Sequence, residues 1–319
     1  GSVWPDIRVY EAIRDGLDLI ATTEHLEYQP HSDDIPHPNR NRSFEIARQI
    51  AERDSLIVVN GAEITRDMPP GHSNAVFISD ANALLKDDPI EAFRAAKAQG
   101  AFTFWNHPNW TAQRPDGIAT LTDLHRNLIA EGLLDGIEVV NEMTYSEEAL
   151  QIALDNDLTI LGTSDIHGLV DWQFDVANGG HRPVTLVFAS ARTPESIKQA
   201  LLAGRTAAYF NNLLIGKPEH LVPLITSSLN VVSARRQEKT TVVPVVIKNS
   251  SPVRFVLENL TDFTFHANND VIEIAPHSET TLEVKTVEPL DVFTLKFRVL
   301  NSVTAPGQHA ELEWSVETE

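Results

Sequence analysis

Apolar positions along the first two-thirds of the chain alternate between two rhythms. One places them three or four residues apart, as on a single helix face. The other is a short apolar run closed by turn residues, as in a buried strand. Residues 6–15 read as an amphipathic helix, with Ile7, Tyr10 and Ile13 on one face and Gly16 as the stop. Residues 17–22 then read as a strand, Ser43 as the cap of a helix through Phe44, Ile46, Ala47 and Ile50, and residues 56–60 as the next strand. Pro89 marks a first helical turn and Gly100 its end. Strands over 101–105, 136–140 and 158–161 alternate with helices near 121–131 and 146–155. Residues 184–188, 194–203 and 206–210 give a last strand, helix and strand. Repeated strand–helix units predict parallel strands wrapped by helices, as a barrel or an open sheet.

The rhythm changes after Lys217-Pro218. Short β-branched runs over 230–232, 240–247, 253–257, 271–274, 280–284, 293–299 and 310–316 are separated by Asn, Ser, Pro and Asp clusters. This spacing predicts a β-sandwich of immunoglobulin type. The predicted domains are therefore an α/β barrel over 1–217 and an all-β sandwich over 218–319. His220, His266, His277 and His309 are scattered through the sandwich and read as surface residues.

Composition narrows the partners. The formal charge of the 319-residue chain is -20 with no basic block, which argues against nucleic-acid polymers and anionic membranes. A small anionic substrate stays open, because local cations can override the global field. There is no cysteine, so a metal would be held by His, Asp, Glu or water. No run of 18 apolar residues occurs, the length that would signal a membrane-spanning helix. No signal peptide is visible, and the abrupt Gly1-Ser2 start leaves room for an upstream segment.

The chemistry collects where strands end. "IATTEH" ends in Glu24 and His25, "IVVNGAE" in Glu63, and "FTFWNHP" in His107. "GIEVVNE" ends in Glu138, Asn141 and Glu142, and "ILGTSDIH" in Asp165 and His167. His72 lies on the loop after Glu63. A lone histidine after a strand is ordinarily a loop residue. In a parallel barrel, however, these ends converge on one face. An all-His/carboxylate set suits zinc, manganese or iron, and such metals polarise phosphoryl oxygens and acidify water. There is no Gly-rich phosphate loop, nucleophile elbow or dinucleotide fingerprint.

Thr23-Glu24-His25, Gly61-Ala62-Glu63, His72, His107-Pro108 and Ser164-Asp165-Ile166-His167 together resemble the PHP family, the polymerase and histidinol phosphatase-type metal-dependent phosphoesterases. The resemblance implies a distorted seven-stranded β/α barrel with two or three divalent metals. It implies hydrolysis of a phosphate mono- or diester by metal-activated hydroxide on a small phosphorylated substrate. Carried over, Glu63 bridges two metals and Asp165 is a second ligand of the first. His72 and His107 bind the other, and His25 and His167 bind a third. The family opens with a strand ending in His-x-His and an acidic turn. Here "GSVWP" resembles the tail of that segment, with Gly1 as its turn glycine, and the His-x-His is expected upstream.

Lower-ranked candidates surround this set. Arg40, Arg42 and His31, with His37 in the same loop, stand near the helix start at Ser43 as phosphate contacts. Arg182 and Arg205 precede strands and are weaker substrate contacts; Asn106 and Asn141 are candidates to orient ligands. Two other classes compete. One is an amidohydrolase-like C–N hydrolase, disfavoured because no lysine ends a strand. The other is a non-catalytic binding protein whose working part is the sandwich. A sandwich on an acidic, thiol-free hydrolase goes with a periplasmic or secreted place, the cytoplasm being the alternative.

Overall fold

The computed structural model describes residues 3–36, 38–236 and 240–319. Gly1 and His37 lie outside them. The chain forms two compact units, Gly1–Asn211 and Asn212–Glu319.

The first unit runs α1 (Pro5–Arg14), β1 (Leu19–Thr22), α2 (Arg42–Ala51), β2 (Ile57–Ile64), β3 (Ser73–Val76), α3 (Pro89–Ala98), β4 (Phe102–Trp105) and α4 (Asp123–Ala130). It continues β5 (Gly136–Asn141), β6 (Thr144–Tyr145), α5 (Glu147–Asp155), β7 (Thr159–Thr163), α6 (Val170–Phe174), β8 (Val184–Val187), α7 (Pro194–Leu202) and β9 (Thr206–Phe210). One curled sheet, a half-barrel, has the order β1-β2-β3-β4-β5-β6, with β7 also on β5. Strand β7 is tied onward by side chains. Thr185 Oγ1 on β8 lies 3.0 Å from the Gly162 N–H and 2.9 Å from its carbonyl, and Thr206 Oγ1 on β9 donates to the Ile160 carbonyl at 2.7 Å. Gly162 permits this approach. A Cβ there would lie 2.9 Å from the Ala208 Cβ and 3.2 Å from the Val184 carbonyl.

The sheet is not the parallel one expected. Strand β3 runs antiparallel between β2 and β4, and β8 pairs antiparallel with β9. Residues 65–72 hold no helix and are too few for a parallel crossover, which takes roughly a dozen residues, so the chain returns antiparallel. Parallel pairing does hold for β1/β2, β4/β5 and β5/β7, which carries their carboxyl ends to one face. Ser43 is not the α2 cap. Asn41 holds that place without a capping bond, because its carboxamide joins Asn60 to the Ala81 N–H and to Asp80. The core behind the sheet gathers Val76, Phe102, Phe104, Leu161, Ile197 and Leu201. A smaller cluster, Val9, Ala12, Ala47, Ala51 and Leu56, seats α1 against α2.

The second unit holds β10 (Leu213–Gly216), α8 (Pro218–Ser228), β11 (Leu229–Ala234), β12 (Val242–Asn249), β13 (Phe255–Asn259), β14 (Thr264–Phe265), β15 (Val271–Ile274), β16 (Glu279–Lys285), β17 (Val292–Ala305) and β18 (Gln308–Glu317). Strands β11-β12-β16-β14 make one sheet; β15-β13-β17, with β18 and β10 on β17, make the other. Alternate residues of β12, β16 and β17 are buried, including Val245, Ile247, Leu282, Val284, Leu295, Phe297 and Val299. This is the predicted immunoglobulin-like sandwich. Of its histidines, His266 and His277 are exposed, while His220 and His309 are half-buried.

Candidate metal centre

Strand register assembles the site. Glu63 faces Asn74 across β2/β3, so His72, two residues before Asn74, is the diagonal neighbour of Glu63 on the same face. The chain after β1 stays beside β2: the Glu63 N–H donates to the Glu24 carbonyl, and the Leu26 N–H to the Glu63 carbonyl, which sets His25 against Glu63. The Asn106 N–H donates to the His72 carbonyl and draws His107 alongside. Asn141 pairs with Thr163 at the ends of β5 and β7, so Glu142 and Asp165 follow side by side. His107, Glu142 and Asp165 all take positive φ, at 29°, 47° and 44°. Three strand ends bearing polar side chains thus adopt a conformation disfavoured for non-glycine residues, a form of strain that clusters at functional sites.

The side chains meet closely. Glu63 Oε2 lies 3.2 Å from His25 Nδ1, and Glu63 Oε1 lies 2.6 Å from His72 Nδ1. His107 Nε2 is 4.0 Å and His167 Nδ1 3.9 Å from the Asp165 carboxylate. The His72 and His107 rings are 4.9 Å apart, and those of His25 and His167 5.7 Å. All six residues expected as ligands are therefore brought together. They fall into groups: ligand atoms of Glu63, His72 and His107 lie within 4.8 Å of one another, as do those of Glu142, Asp165 and His167.

Electrostatics supports a cation here. Burial alone would raise the Glu63 carboxyl, but contacts with His25 and His72 outweigh it and pull it down to about 2. The His25 imidazole is raised, chiefly by its bond to Glu63. Burial depresses His107 to about 4, with His72 adding to the effect. The Asp165 carboxyl is pushed up, first by burial and then by the charge of Glu63. His107 Nδ1 is buried yet has no hydrogen-bond partner among the described residues, and the buried Glu63 Oε1 meets His72 Nδ1. An orphaned buried polar atom costs about 1–3 kcal/mol, and a divalent ion would offset that cost while stabilising the Glu63 and Asp165 carboxylates. The donor set of imidazoles and carboxylates fits such an ion.

Two supports were not read from the sequence. Glu138, fully buried in β5, accepts from the His107 N–H (2.7 Å), Asn141 Nδ2 (2.9 Å) and Thr163 Oγ1 (2.6 Å). It thereby ties the ends of β4, β5 and β7, and burial, then Asp165, lifts its carboxyl to about 8. The second support is the pair of Arg8 and Glu11 on α1. Arg8 Nη2 donates to the carbonyls of Ile166 and Gly168, and Glu11 Oε1 accepts the Val170 N–H, so the pair clasps the segment holding His167. An acid inside a strand and an i,i+3 pair on a helix carry no sequence signal for these tasks.

The lower-ranked candidates are placed differently. Arg40 donates to the carbonyls of Leu26, next to His25, and Pro38. Arg42 lies over the Trp4 ring at 5.8 Å, and His31 is exposed in a turn. Among the described residues neither Arg42 nor His31 is bonded to the metal-capable groups. Arg182 and Arg205 are engaged by other groups. Arg182 is buried on Asp15 through two bonds of 2.9 and 2.7 Å, and Arg205 donates to the Phe188 carbonyl. Asn141 orients Glu138, and Asn106 is buried with Oδ1 unpartnered among the described residues. Trp110 packs its ring 5.5 Å from His72 and 5.1 Å from His107.

Comparison with solved structures decides the relationship. A two-domain protein from Bacteroides vulgatus ATCC 8482, containing a predicted PHP-like metal-dependent phosphoesterase, superposes with a TM-score of 0.93. It is 40% identical, over 99% of this chain and 91% of that one. This chain belongs to that PHP-like two-domain family. A family model described as an Ig-like domain matches residues 229–315, within the sandwich. Two other structures are only distantly similar. A candidate metal-dependent phosphoesterase from Bifidobacterium adolescentis ATCC 15703 has TM-score 0.40 and 18% identity over 53% of this chain and 84% of its own. An amidohydrolase from Chromobacterium violaceum has 0.36 and 14% over 52% and 83%. No curated protein matches the chain.

Proposed function

We propose that the first unit hydrolyses a phosphate mono- or diester with two or three divalent ions, zinc, manganese or iron, held by His25, Glu63, His72, His107, Asp165 and His167. The observation that carries this reading is the convergence of Glu63, His72 and His107, whose ligand-capable atoms lie within 4.8 Å of one another while the buried His107 Nδ1 has no partner among the described residues. When bound, the ions would supply Lewis acidity to phosphoryl oxygens and acidify water.

The residues of the chain do the positioning. Thr65 Oγ1 and Glu63 occupy His25 Nδ1, which leaves Nε2 as the ring nitrogen without a partner among the described residues. Glu63 uses its two oxygens toward two different histidines, the arrangement a bridging carboxylate needs. Asp165 stands between His107 and His167 and joins the two sides of the cluster. Glu138 fixes the His107 backbone, so the imidazole is held rather than recruited. Trp110 and Tyr28, partly exposed at either end of the histidine row, shape its mouth.

The test is a panel of phosphate esters and amides with metal-reconstituted protein. Asp165→Asn and His107→Ala are expected to lower kcat on the best phosphate ester by at least about 100-fold, as for loss of a group that positions or stabilises developing charge. Unchanged kcat in both variants, or faster turnover of amides than of phosphate esters, would overturn the proposal.

A further inference from the structure

We propose that Glu142 is a metal ligand, and that with Asp165 and His167 it forms a carboxylate-rich position distinct from the one at Glu63, His72 and His107. The inference rests on the metal-dependent reading above. It goes beyond it by adding a ligand and by assigning the two positions different chemistry.

Three observations converge on Glu142. Its carboxylate reaches within 4.8 Å of ligand atoms on both Asp165 and His167, which come from a different strand end. It occupies the first place of the two-residue turn between β5 and β6, since Asn141 pairs with Thr144, and there its φ is 47°. A hairpin turn with positive φ at that place favours glycine. Its N–H donates to the Thr163 carbonyl at 3.2 Å, which locks the turn to the strand that delivers Asp165.

His167 is preset for the same task. Its Nδ1 lies 2.7 Å from the Asp165 carbonyl. A carbonyl only accepts, so Nδ1 is the donor of this bond and Nε2 is the ring nitrogen left for a ligand. The position is also continuous with a buried, unsatisfied neighbour. His107 is nine-tenths buried, leaves Nδ1 without a partner among the described residues, and sets Nε2 4.0 Å from Asp165 Oδ2.

The two positions differ in kind. The inner one has one carboxylate and two imidazoles, with Glu63 and His107 buried. Such a set suits zinc. The outer one has two half-buried carboxylates and an exposed imidazole. Oxygen-rich ligation favours harder ions such as manganese or magnesium, and exposure favours exchange. The inner ion is therefore the retained one and the outer ion the exchangeable one.

Titration calorimetry on the full chain, stripped with chelator and titrated with zinc or manganese chloride, tests this without any assay of activity. Wild-type protein should show a tight zinc event and a separate, weaker manganese event. Glu142→Gln should weaken the manganese event at least about tenfold and leave the zinc event within about threefold. His72→Ala should do the reverse. Glu142→Gly keeps the turn and relaxes its φ, so it should bind as Glu142→Gln does while melting no lower than wild type. If manganese binding is unchanged in both Glu142 variants while His72→Ala removes the zinc event, this inference is overturned and the metal-dependent reading stands. If wild-type protein binds neither ion, both are overturned.

Discussion

Strands of both units end in buried or half-buried polar side chains, but the two units treat those groups differently. In the sandwich the ends of β12 and β13 carry Asn249 and Asn259, and each asparagine closes its own turn. Asn249 Oδ1 accepts from the Ser251 N–H and hydroxyl, and its Nδ2 donates to the carbonyls of Val253 and Ala275. Asn259 repeats the pattern with Thr261 and Phe263. In the half-barrel, Asn106 Oδ1 and His107 Nδ1 are left unsatisfied among the described residues, and His107, Glu142 and Asp165 bend into positive φ. The same place in a β-structure serves stability in one unit and is held at a cost in the other. Such a cost persists where a ligand relieves it, which is why the second pattern marks a site and the first does not.

The comparison breaks most visibly at Asn249. It is fully buried, and four bonds converge on it. Asn249→Ala removes all four bonds, leaving the Ser251 N–H unpaired and the Val253 carbonyl with only a 3.5 Å contact to Ser251 Oγ, while Ser278 Oγ still serves the Ala275 carbonyl, so it should cost the sandwich about 3 kcal/mol in urea unfolding. A loss below about 1 kcal/mol would mean that these turns are not stabilising, and the contrast would fail.

A satisfied histidine of the half-barrel, outside the metal-capable groups, sharpens the comparison. His125 Nε2 donates to the Pro70 carbonyl at 2.7 Å, and Nδ1 accepts from the Thr122 N–H at the start of α4. Its neutral form is thus fully bonded, and burial depresses it to about 4 from an ordinary 6.5. Below pH 6.5 the unfolded chain gains a proton that the folded chain refuses. The stability at stake is intact above about pH 6.5, is lost as pH falls toward 4, and amounts to about 2 kcal/mol at pH 5. His125→Gln should therefore reduce the drop in unfolding free energy between pH 7 and pH 5 by about that amount. Equal drops in variant and wild type would show that His125 is not held neutral.

Legibility in the sequence followed the same division. Helix α3 was plain because Asp88, Pro89 and Gly100 punctuate it chemically: Asp88 caps the Ile90 N–H, and Gly100 has φ 74°. The sandwich strands were plain because burial alternates along them. Strand β3 is not legible because Ser73 and Asn74 open it, so its four buried positions show neither an apolar run nor alternation. Helix α8 was missed because Pro223 and β-branched residues interrupt its period. At the site, residues whose own chemistry announces a ligand, such as His107 and Asp165, were legible. Glu138 and Glu142 were seen only as strand-end acids. What distinguishes them is a fully buried three-way bond and a left-handed turn, and both are products of register rather than of local sequence.

The smallest effect is the most discriminating, because its sign should reverse. In metal-free protein the Asp165 carboxylate is burdened by burial and by the nearby charge of Glu63. Asp165→Asn removes the charge and keeps a side chain that tolerates positive φ. Metal-free, the variant should be more stable than wild type by about 1 kcal/mol, read as a higher Tm in chelator. With zinc or manganese in excess, wild type gains stability in proportion to the logarithm of ligand over Kd, and a variant short of a carboxylate ligand gains less. The order of Tm should then invert. A variant less stable than wild type in chelator would mean that Asp165 is held by ordinary structural bonds, like Asn249, and would place the strand ends of the half-barrel in the same class as those of the sandwich.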